Sequence, residues 1–214
     1  SAGPGAGTNA IPGFEQASGV AVDVNGAIYA SDITSGTVSI YAPTGALLTS
    51  FAISGPRNVA IASGGAVYVA TNSQGIRKFI PSEFPVTGAT TYLDNPFIPP
   101  SATFPGIGDD PLEGDVYVLL NLGTDWISQY DEDGTFVQDI ARENGAGELG
   151  SASRGLAVVG GNGEFQLYVG DTDLGNYSKV AIFGEVIVEE PPTIRETSAT
   201  DVTSDSATLH AGVN

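Results

Sequence analysis

The chain has 214 residues, of which 41% are hydrophobic and 15% are charged, and it contains 29 glycines and 13 prolines. So much glycine and proline excludes an architecture of long helices and favours short strands joined by turns. The 25 acidic residues against 7 Lys and Arg give a formal net charge of −18, which argues against nucleic acid and anionic membrane surfaces as partners.

Cysteine and methionine are both absent from the sequence. The lack of cysteine rules out disulfides, thiolate metal sites and cysteine nucleophiles. Because the first residue is Ser1 and not methionine, we expect a processed chain or one taken from a longer protein. No stretch reaches the roughly 18 apolar residues that a membrane helix needs, so we expect no direct membrane insertion.

A repeated pattern follows the glycine-rich N-terminal segment, residues 1–18, and its clearest part is a short apolar strand around a tyrosine. The four copies are AIYA at 27–30, AVYV at 66–69, DVYV at 115–118 and QLYV at 166–169. Each copy is followed by a second apolar strand that ends in an aromatic residue, namely Tyr41, Phe79, Tyr130 or Phe183. The same order of parts at similar spacing indicates one structural unit repeated along the chain.

Further strands flank this pair in most copies. Small apolar residues precede the tyrosine strand at 19–23, 58–62 and 155–159, and another strand follows at 47–51 and 136–140. The third copy has no visible first strand, because the Pro-rich segment 96–111 stands in its place. Asp131 to Gly134 predicts a hairpin turn, and Trp126 predicts core packing, with a sugar-stacking patch as the alternative.

Four short strands in a unit of about 40 to 50 residues are typical of a blade in an all-β propeller. Each blade is covered by its neighbours on both faces, which explains apolar residues at consecutive positions. We therefore expect a β-propeller of about four four-stranded blades over residues 19–188, with ring closure left open and with the tyrosines packed between blades.

The first copy resembles the NHL repeat family of β-propellers through Gly19-Val20-Ala21-Val22-Asp23, Asn25-Gly26, Tyr29, Asp32 and Tyr41. The second and fourth copies carry the likeness more loosely, and the third carries it only in its later half. The resemblance implies a propeller over about residues 14–188. Because propellers of that family resemble six-bladed rings, the four copies predict a four-bladed ring, degenerate blades within 1–18 and 94–113, or a chain cut from a longer one.

The composition changes at Glu189-Glu190-Pro191-Pro192, which predicts a linker at 189–192. Residues 193–214 are rich in Thr and Ser and predict two half-buried strands. This segment resembles the opening strands of a fibronectin type III or related immunoglobulin-like domain, through Ala199-Thr200 and Ser206-Ala207-Thr208-Leu209. Since such a sandwich needs about 100 residues, we expect a truncated domain or packing against the propeller, or alternatively strands that add to an edge on a neighbouring chain.

Chemistry-bearing residues are few. His210 is the only histidine, so a histidine triad or a multi-histidine metal site is not available, and we assign no catalytic and no cofactor-binding residue. Propeller lactonases hold a divalent cation through oxygen ligands at the channel mouth. The residues of this type at strand ends are Asp23, Asp32, Asn72, Asn121 and Asp171. Turn capping and a calcium site are the two interpretations of this set.

Together these features favour a non-catalytic, extracellular or cell-surface propeller module that needs no cofactor. We expect it to bind a protein partner or another copy of itself, for example as a filament or surface-layer subunit. The alternative is a cation-dependent, lactonase-like or esterase-like hydrolase, with calcium as the metal.

Overall fold

The computed structural model describes residues 11–100, 103–111, 113–121, 125–143, 146–147, 149–150, 153–161, 164–172, 178–184, 194–200, 203–206 and 208–213. The regular structure of these ranges is entirely β-strand. Two compact units divide the chain, Ser1–Gly184 and Glu185–Asn214. Within the described ranges, no helix has the length and apolar character needed to cross a membrane.

Antiparallel sheets in chain order build the first unit. The first sheet contains β1 (Ala17–Val22), β2 (Ile28–Asp32), β3 (Thr37–Tyr41) and β4 (Leu47–Ala52). The second contains β5 (Pro56–Ile61), β6 (Val67–Thr71), β7 (Ile76–Pro81) and β8 (Tyr92–Ile98). The third contains β9 (Thr103–Asp109), β10 (Val116–Asn121), β11 (Asp125–Tyr130) and β12 (Phe136–Ile140).

A short ribbon of β13 (Arg142–Glu143) and β14 (Ala146–Gly147) precedes the fourth sheet. That sheet has three described strands, β15 (Arg154–Gly161), β16 (Glu164–Thr172) and β17 (Ser178–Gly184). Each sheet pairs neighbouring strands directly along the chain, as short glycine-bearing turns allow. In the β1–β2 turn, for example, Gly26 adopts a φ of 81° and donates its N–H to the Asp23 carbonyl at 3.0 Å.

The sheets stack in sequence, because the first strand of each contacts the first strand of the next: β1 lies against β5, β5 against β9, and β9 against β15. Meandering four-stranded sheets that stack through their first strands are blades of a β-propeller. The predicted all-β propeller class is therefore confirmed, and we call the sheets blades one to four.

The predicted packing of the tyrosines between blades is confirmed for three of the four, whereas Tyr168 of blade four is only half-buried. Tyr29, Tyr68 and Tyr117 are buried, and each belongs to an apolar cluster shared with the following blade. Tyr29 clusters with Val67 and Val69 of blade two, for example. We name the side of a blade that carries its tyrosine the tyrosine face. In blades one to three, this face packs against the opposite face of the next blade.

The third blade differs from the prediction in its first strand. The Pro-rich segment does contain one, β9, which pairs with β10 so that Gly106 lies opposite Leu119. A Cβ on Gly106 would lie 2.9 Å from the backbone nitrogen of Leu156 in blade four. The close approach of two first strands explains the glycine at this position. Gly19, at the corresponding place in blade one, approaches the backbone of blade two in the same way.

The second unit contains an antiparallel hairpin of β18 (Ile194–Thr200) and β19 (Thr208–Val213), in which Thr200 pairs with Thr208. The N–H of Thr203 donates to the carbonyl of Ser206 at 2.7 Å in the connecting turn. The two predicted strands are thus present, while the likeness to a fibronectin type III domain stays a prediction. The predicted linker at 189–192 lies outside the described residues.

Candidate functional site

A cavity of about 430 Å³ lies where the first strands of the four blades come together. This volume falls in the range of small-molecule sites. The lining residues are Ser18, Arg57, Asn58, Phe104, Asn121, Arg154 and Gly155. All but Asn121 belong to β1, β5, β9 or β15, and Asn121 is the last residue of β10. The cavity is therefore built from equivalent parts of successive blades.

Serine hydroxyls fix the cavity wall between blades one and two. The Ser31 hydroxyl donates to the Arg57 carbonyl oxygen at 2.6 Å, and the Ser18 Oγ lies 2.9 Å from the Ser31 Oγ. Gly19 permits this approach, because a Cβ there would lie 2.4 Å from the same Arg57 carbonyl oxygen. The backbone of Arg57 is consequently held in place at the rim of the cavity.

Ser153 performs a similar task on the opposite side, next to Arg154. Its N–H donates to Oδ2 of Asp125 at 2.8 Å, and its hydroxyl lies 3.0 Å from Oδ1 of Asp171. Burial raises the pKa of Asp125, although the Ser153 bond and the charge of Arg154 act in the other direction. The start of β15, and with it Arg154, is thus anchored by two carboxyl groups.

Both cavity arginines are also tied to a neighbouring oxygen. The Arg57 Nε donates to the Asn72 Oδ1, and the Arg154 Nη1 donates to the Ser153 carbonyl oxygen at 2.8 Å. Within the part of the chain that the structure describes, no carboxylate lies within 4.0 Å of either guanidinium group. The cavity is therefore bordered by two guanidinium groups that form no ion pair with a described carboxylate.

The residues predicted as oxygen ligands occupy different places. Asp32, Asn72, Asn121 and Asp171 all lie at the same end of the second strand of a blade or directly after it, and Asn121 borders the cavity. Asp23 follows β1, whose other end pairs with Asp32, so a blade length separates these two carboxyl groups. The five side chains therefore do not converge on one point.

Asp32 accepts backbone N–H groups from residues that lead into its own blade. Glu15 and Gln16 donate to its carboxyl group at 2.7 and 3.1 Å, and Thr34 donates at 3.0 Å. Burial favours a higher pKa for Asp32, but these backbone donors outweigh it and lower the pKa. The bond from Thr34 is the local turn cap anticipated for this set, whereas the bonds from Glu15 and Gln16 tie down the entry to the blade.

Asp171 repeats this arrangement in blade four. The Gly150 N–H donates to its Oδ1 at 2.8 Å, and Lys179 Nζ lies 3.3 Å from its Oδ2. Burial acts to raise its pKa, yet the hydrogen bonds and Lys179 lower it. Asp23 caps the β1–β2 turn by accepting the N–H of Asn25 at 2.8 Å and of Ala27 at 2.9 Å.

No group of three His, Cys, Asp or Glu residues with the geometry of a metal site occurs in the described ranges. The calcium site stays a prediction, with Asn121 as its one member at the cavity. Two other interpretations gain direct support. Asp131 caps the predicted hairpin turn, accepting the Thr135 N–H at 2.8 Å, and Trp126 is buried in the core.

Neither cavity arginine was among the site residues predicted from the sequence. Arg57 and Arg154 directly precede the small-residue strands NVAIA and GLAVV, and Ser18 holds the corresponding place before GVAVD. All three border the cavity. Aligning the repeats and comparing the residue that directly precedes each first strand would have identified Arg57 and Arg154 as candidates.

In the part of the first unit that the structure describes, two blade faces carry exposed apolar side chains. The tyrosine face of blade four carries Val159, Val180 and Ile182, which are exposed by 54%, 63% and 52%. The opposite face of blade one carries Val20, Val22 and Leu47, exposed by 68%, 60% and 61%. Phe14 covers part of the latter face through a ring contact with Tyr41 at 6.0 Å between centroids.

No protein-family model matches the chain, and no curated protein matches it in sequence. Solved structures match it in fold. A streptogramin B lyase structure is 14% identical with a TM-score of 0.53, and the match covers 94% of this chain and 70% of that one. The RRP9 WD40 repeats are 13% identical with a TM-score of 0.52, covering 73% and 49% of the two chains.

A luciferin-regenerating enzyme is 12% identical with a TM-score of 0.54, and the match covers 71% of this chain and 52% of the enzyme. The chain thus corresponds to between about half and 70% of the length of these proteins. Identities this low show a common fold alone. The comparisons establish that the first unit belongs to the β-propeller architecture.

Proposed function

We propose that this chain is a non-catalytic propeller module that associates head to tail with copies of itself. The observation that carries the proposal is the pair of uncovered apolar faces on blades one and four. Isolated exposed apolar residues are ordinary on protein surfaces, but several on one sheet face mark an interaction surface.

The two faces are complementary, because the propeller already uses the same pairing three times. The tyrosine face of each of blades one, two and three is buried by the opposite face of the next blade. Among the described residues, the tyrosine face of blade four and the opposite face of blade one carry exposed apolar side chains. Joining them between chains continues the internal stacking, and such a heterologous contact produces rings or open filaments.

Finer features of the proposal rest on the sequence. We assign the blades to the NHL type from the residue pattern around Gly19 to Asp23, and the terminal hairpin to the start of a fibronectin type III or related domain. The tandem arrangement and the strongly acidic composition support an extracellular or cell-surface location. The likeness to WD40 repeats supports a protein partner, because propellers of that type serve as interaction modules.

A second candidate is a cation-dependent, lactonase-like or esterase-like hydrolase, supported by the enzymes among the solved structures of similar fold. It predicts calcium-stimulated hydrolysis of small esters or lactones, which is lost in Asn121→Ala. Hydrolysis that neither responds to calcium nor depends on Asn121 would remove this candidate.

Complementary variants test head-to-tail association directly. Val20→Asp places a charge on the free face of blade one, and Ile182→Asp places one on the free face of blade four. Each variant keeps one intact face, so we expect each to remain monomeric alone while an equimolar mixture forms dimers that grow no further. Light scattering coupled to size-exclusion chromatography measures the masses.

Leu93→Asp serves as the matched control, because Leu93 is equally exposed but lies on β8, the last strand of blade two. This variant is expected to associate as the unmodified chain does. Association of Val20→Asp or Ile182→Asp alone contradicts the proposed pairing. Loss of association in Leu93→Asp to the same extent also contradicts it, because the chains would then associate through exposed apolar residues in general and not through the faces of blades one and four.

A further inference from the structure

The basic side chains outside the cavity differ from the two cavity arginines in the groups that they contact. The described basic side chains outside the cavity are neutralised or seated on aromatic rings: Arg77 pairs with Asp94 at 2.8 Å, Arg142 with Asp139 at 2.5 Å and Lys179 with Asp171 at 3.3 Å, while Lys78 lies over the rings of Tyr68 and Phe97. Arg57 and Arg154 alone among the described basic side chains border the cavity.

The chain has a formal net charge of −18, so carboxylates that could pair with an arginine are plentiful. The lack of a described ion-pair partner at Arg57 and Arg154 therefore distinguishes these two residues. Each guanidinium group has five N–H donors, and its bonds to described residues, Asn72 for Arg57 and Ser153 for Arg154, use one of them. Donors therefore remain for an anion that enters from outside.

The arginines are held in place before any ligand arrives. Asn72 fixes the side chain of Arg57, while Ser18 and Ser31 fix its backbone. Ser153, bonded to Asp125 and Asp171, fixes the start of the strand that carries Arg154. Such positioning lowers the entropy that a ligand must overcome to organise its site.

The remaining lining gives the cavity a mixed character. Phe104 contributes an apolar wall, Gly155 adds no side chain, and Asn58 and Asn121 contribute amide groups. A ligand site typically combines apolar walls with a few polar groups that orient the ligand. The volume of about 430 Å³ suits a small organic molecule rather than a folded partner.

We propose that this cavity binds a small organic anion, with a carboxylate or phosphate group between Arg57 and Arg154 and an apolar portion against Phe104. Guanidinium groups recognise both types of oxyanion through paired N–H donors. This binding site is independent of the blade faces proposed for association.

Titration with simple probes tests the site in the intact chain. Benzoate and phenyl phosphate present the two oxyanions on the same ring, and benzamide is the neutral counterpart. Isothermal titration calorimetry and NMR chemical-shift changes are expected to show saturable binding of at least one anion at the Phe104 and Gly155 signals. Benzamide is expected to bind about tenfold more weakly or worse, and added salt is expected to weaken anion binding.

Variants locate the binding. Arg57→Gln and Arg154→Gln are each expected to weaken it about tenfold or more, because each removes a charge-assisted contact. Arg77→Gln removes an arginine that already pairs with Asp94 and is expected to leave binding unchanged. Circular dichroism and thermal melting verify that the variants fold.

Several results overturn the proposal: no saturable binding of either anion, equal binding of benzamide, or equal loss in Arg77→Gln. Binding that survives in a folded Arg57→Gln and a folded Arg154→Gln overturns it as well. The relative affinities of benzoate and phenyl phosphate identify which oxyanion the site prefers.

Discussion

Asp109 is a buried carboxyl group whose two oxygens accept no hydrogen bond from the described residues. Burial raises its pKa to about 7, the neighbouring charge of Asp110 adds to this effect, and Lys78 opposes it. The same carboxyl group also affects Tyr68. Burial is the largest cause of the raised pKa of the Tyr68 hydroxyl, and the charge of Asp109 is the next largest. Burial of a carboxyl group without a hydrogen-bond donor disfavours its ionisation.

This raised pKa predicts a pH-dependent stability. The contribution of Asp109 is fully present below its unfolded pKa of about 4 and is lost as the pH rises through about 7. We expect Asp109→Asn to increase the free energy of unfolding by about 1–2 kcal/mol at pH values above this range, after allowance for solvent screening.

Urea unfolding at a series of pH values measures the effect, with the exposed Glu113→Gln as the control. Asp109→Asn is expected to flatten the decline in stability between acidic and neutral pH, whereas Glu113→Gln is expected to leave it in place. A decline of the same size in Asp109→Asn would assign the pH dependence to other groups.

Gly19 illustrates a constraint of space at a blade junction. The atoms that an added Cβ would meet are the Arg57 carbonyl oxygen at 2.4 Å and the Asn58 Cα at 2.8 Å, and both belong to the backbone. Gly19→Ala is therefore expected to reduce the free energy of unfolding by about 1–3 kcal/mol, as overpacking does elsewhere.

Gly64→Ala is the matched control, since a Cβ there would meet nothing within 4 Å. Its free energy of unfolding is expected to stay close to that of the unmodified chain in the same urea titration. Equal stability of Gly19→Ala and Gly64→Ala would mean that blades one and two are not packed this closely.

At the scale of elements, the carboxylates at the ends of β2 and β16 connect each strand to the segment that enters the same blade. Asp32 binds the backbone before β1, and Asp171 binds the backbone before β15. Because hydrogen bonds lower the pKa of Asp32, its stabilising contribution exists above the usual carboxyl pKa and is lost as the pH falls through the lowered value.

Replacing this carboxylate is expected to free the entering segment. In Asp32→Ala, the amide hydrogens of Glu15 and Gln16 are expected to exchange faster with solvent, while those of β6 keep their protection. Asp133→Ala changes an exposed carboxylate and is expected to leave Glu15 and Gln16 unaffected. Unchanged exchange of these two amides in Asp32→Ala would contradict the capping role.

The strands that sequence analysis identified and those that it missed differ in their physical constraints. The tyrosine strands are predictable because burial on both faces selects consecutive apolar residues, as in Val67 to Ala70. β9 is hidden because Pro105 and two glycines interrupt the apolar pattern, and the need for Gly106 is visible only once Leu156 packs against it. β8 contains Pro96 and is the last strand of its sheet, where proline is tolerated.

The candidate site was less predictable than the fold. The sequence pattern selected Asp32 and Asp171, and the structure uses their carboxyl groups for backbone hydrogen bonds. Arg57 and Arg154 are single arginines in the sequence, and single arginines usually lie on the protein surface, so the sequence alone does not indicate a site. Their importance arises from the stacking of the first strands, which brings residues about 100 positions apart to the same cavity.

At the scale of the whole molecule, association through the blade faces is opposed by the net charge of −18. Burial of the apolar faces favours contact at every ionic strength, whereas repulsion between copies weakens as salt is added. The balance predicts stronger association at physiological salt than at low salt. A partnership held by opposite charges would show the reverse dependence.

The most direct test of the account is sedimentation velocity of the unmodified chain over a range of concentrations at physiological ionic strength. Head-to-tail association predicts an average mass that rises with concentration beyond that of a dimer, because each added copy buries one of its faces and leaves the other free to bind the next copy. A single-chain mass at every concentration would contradict it.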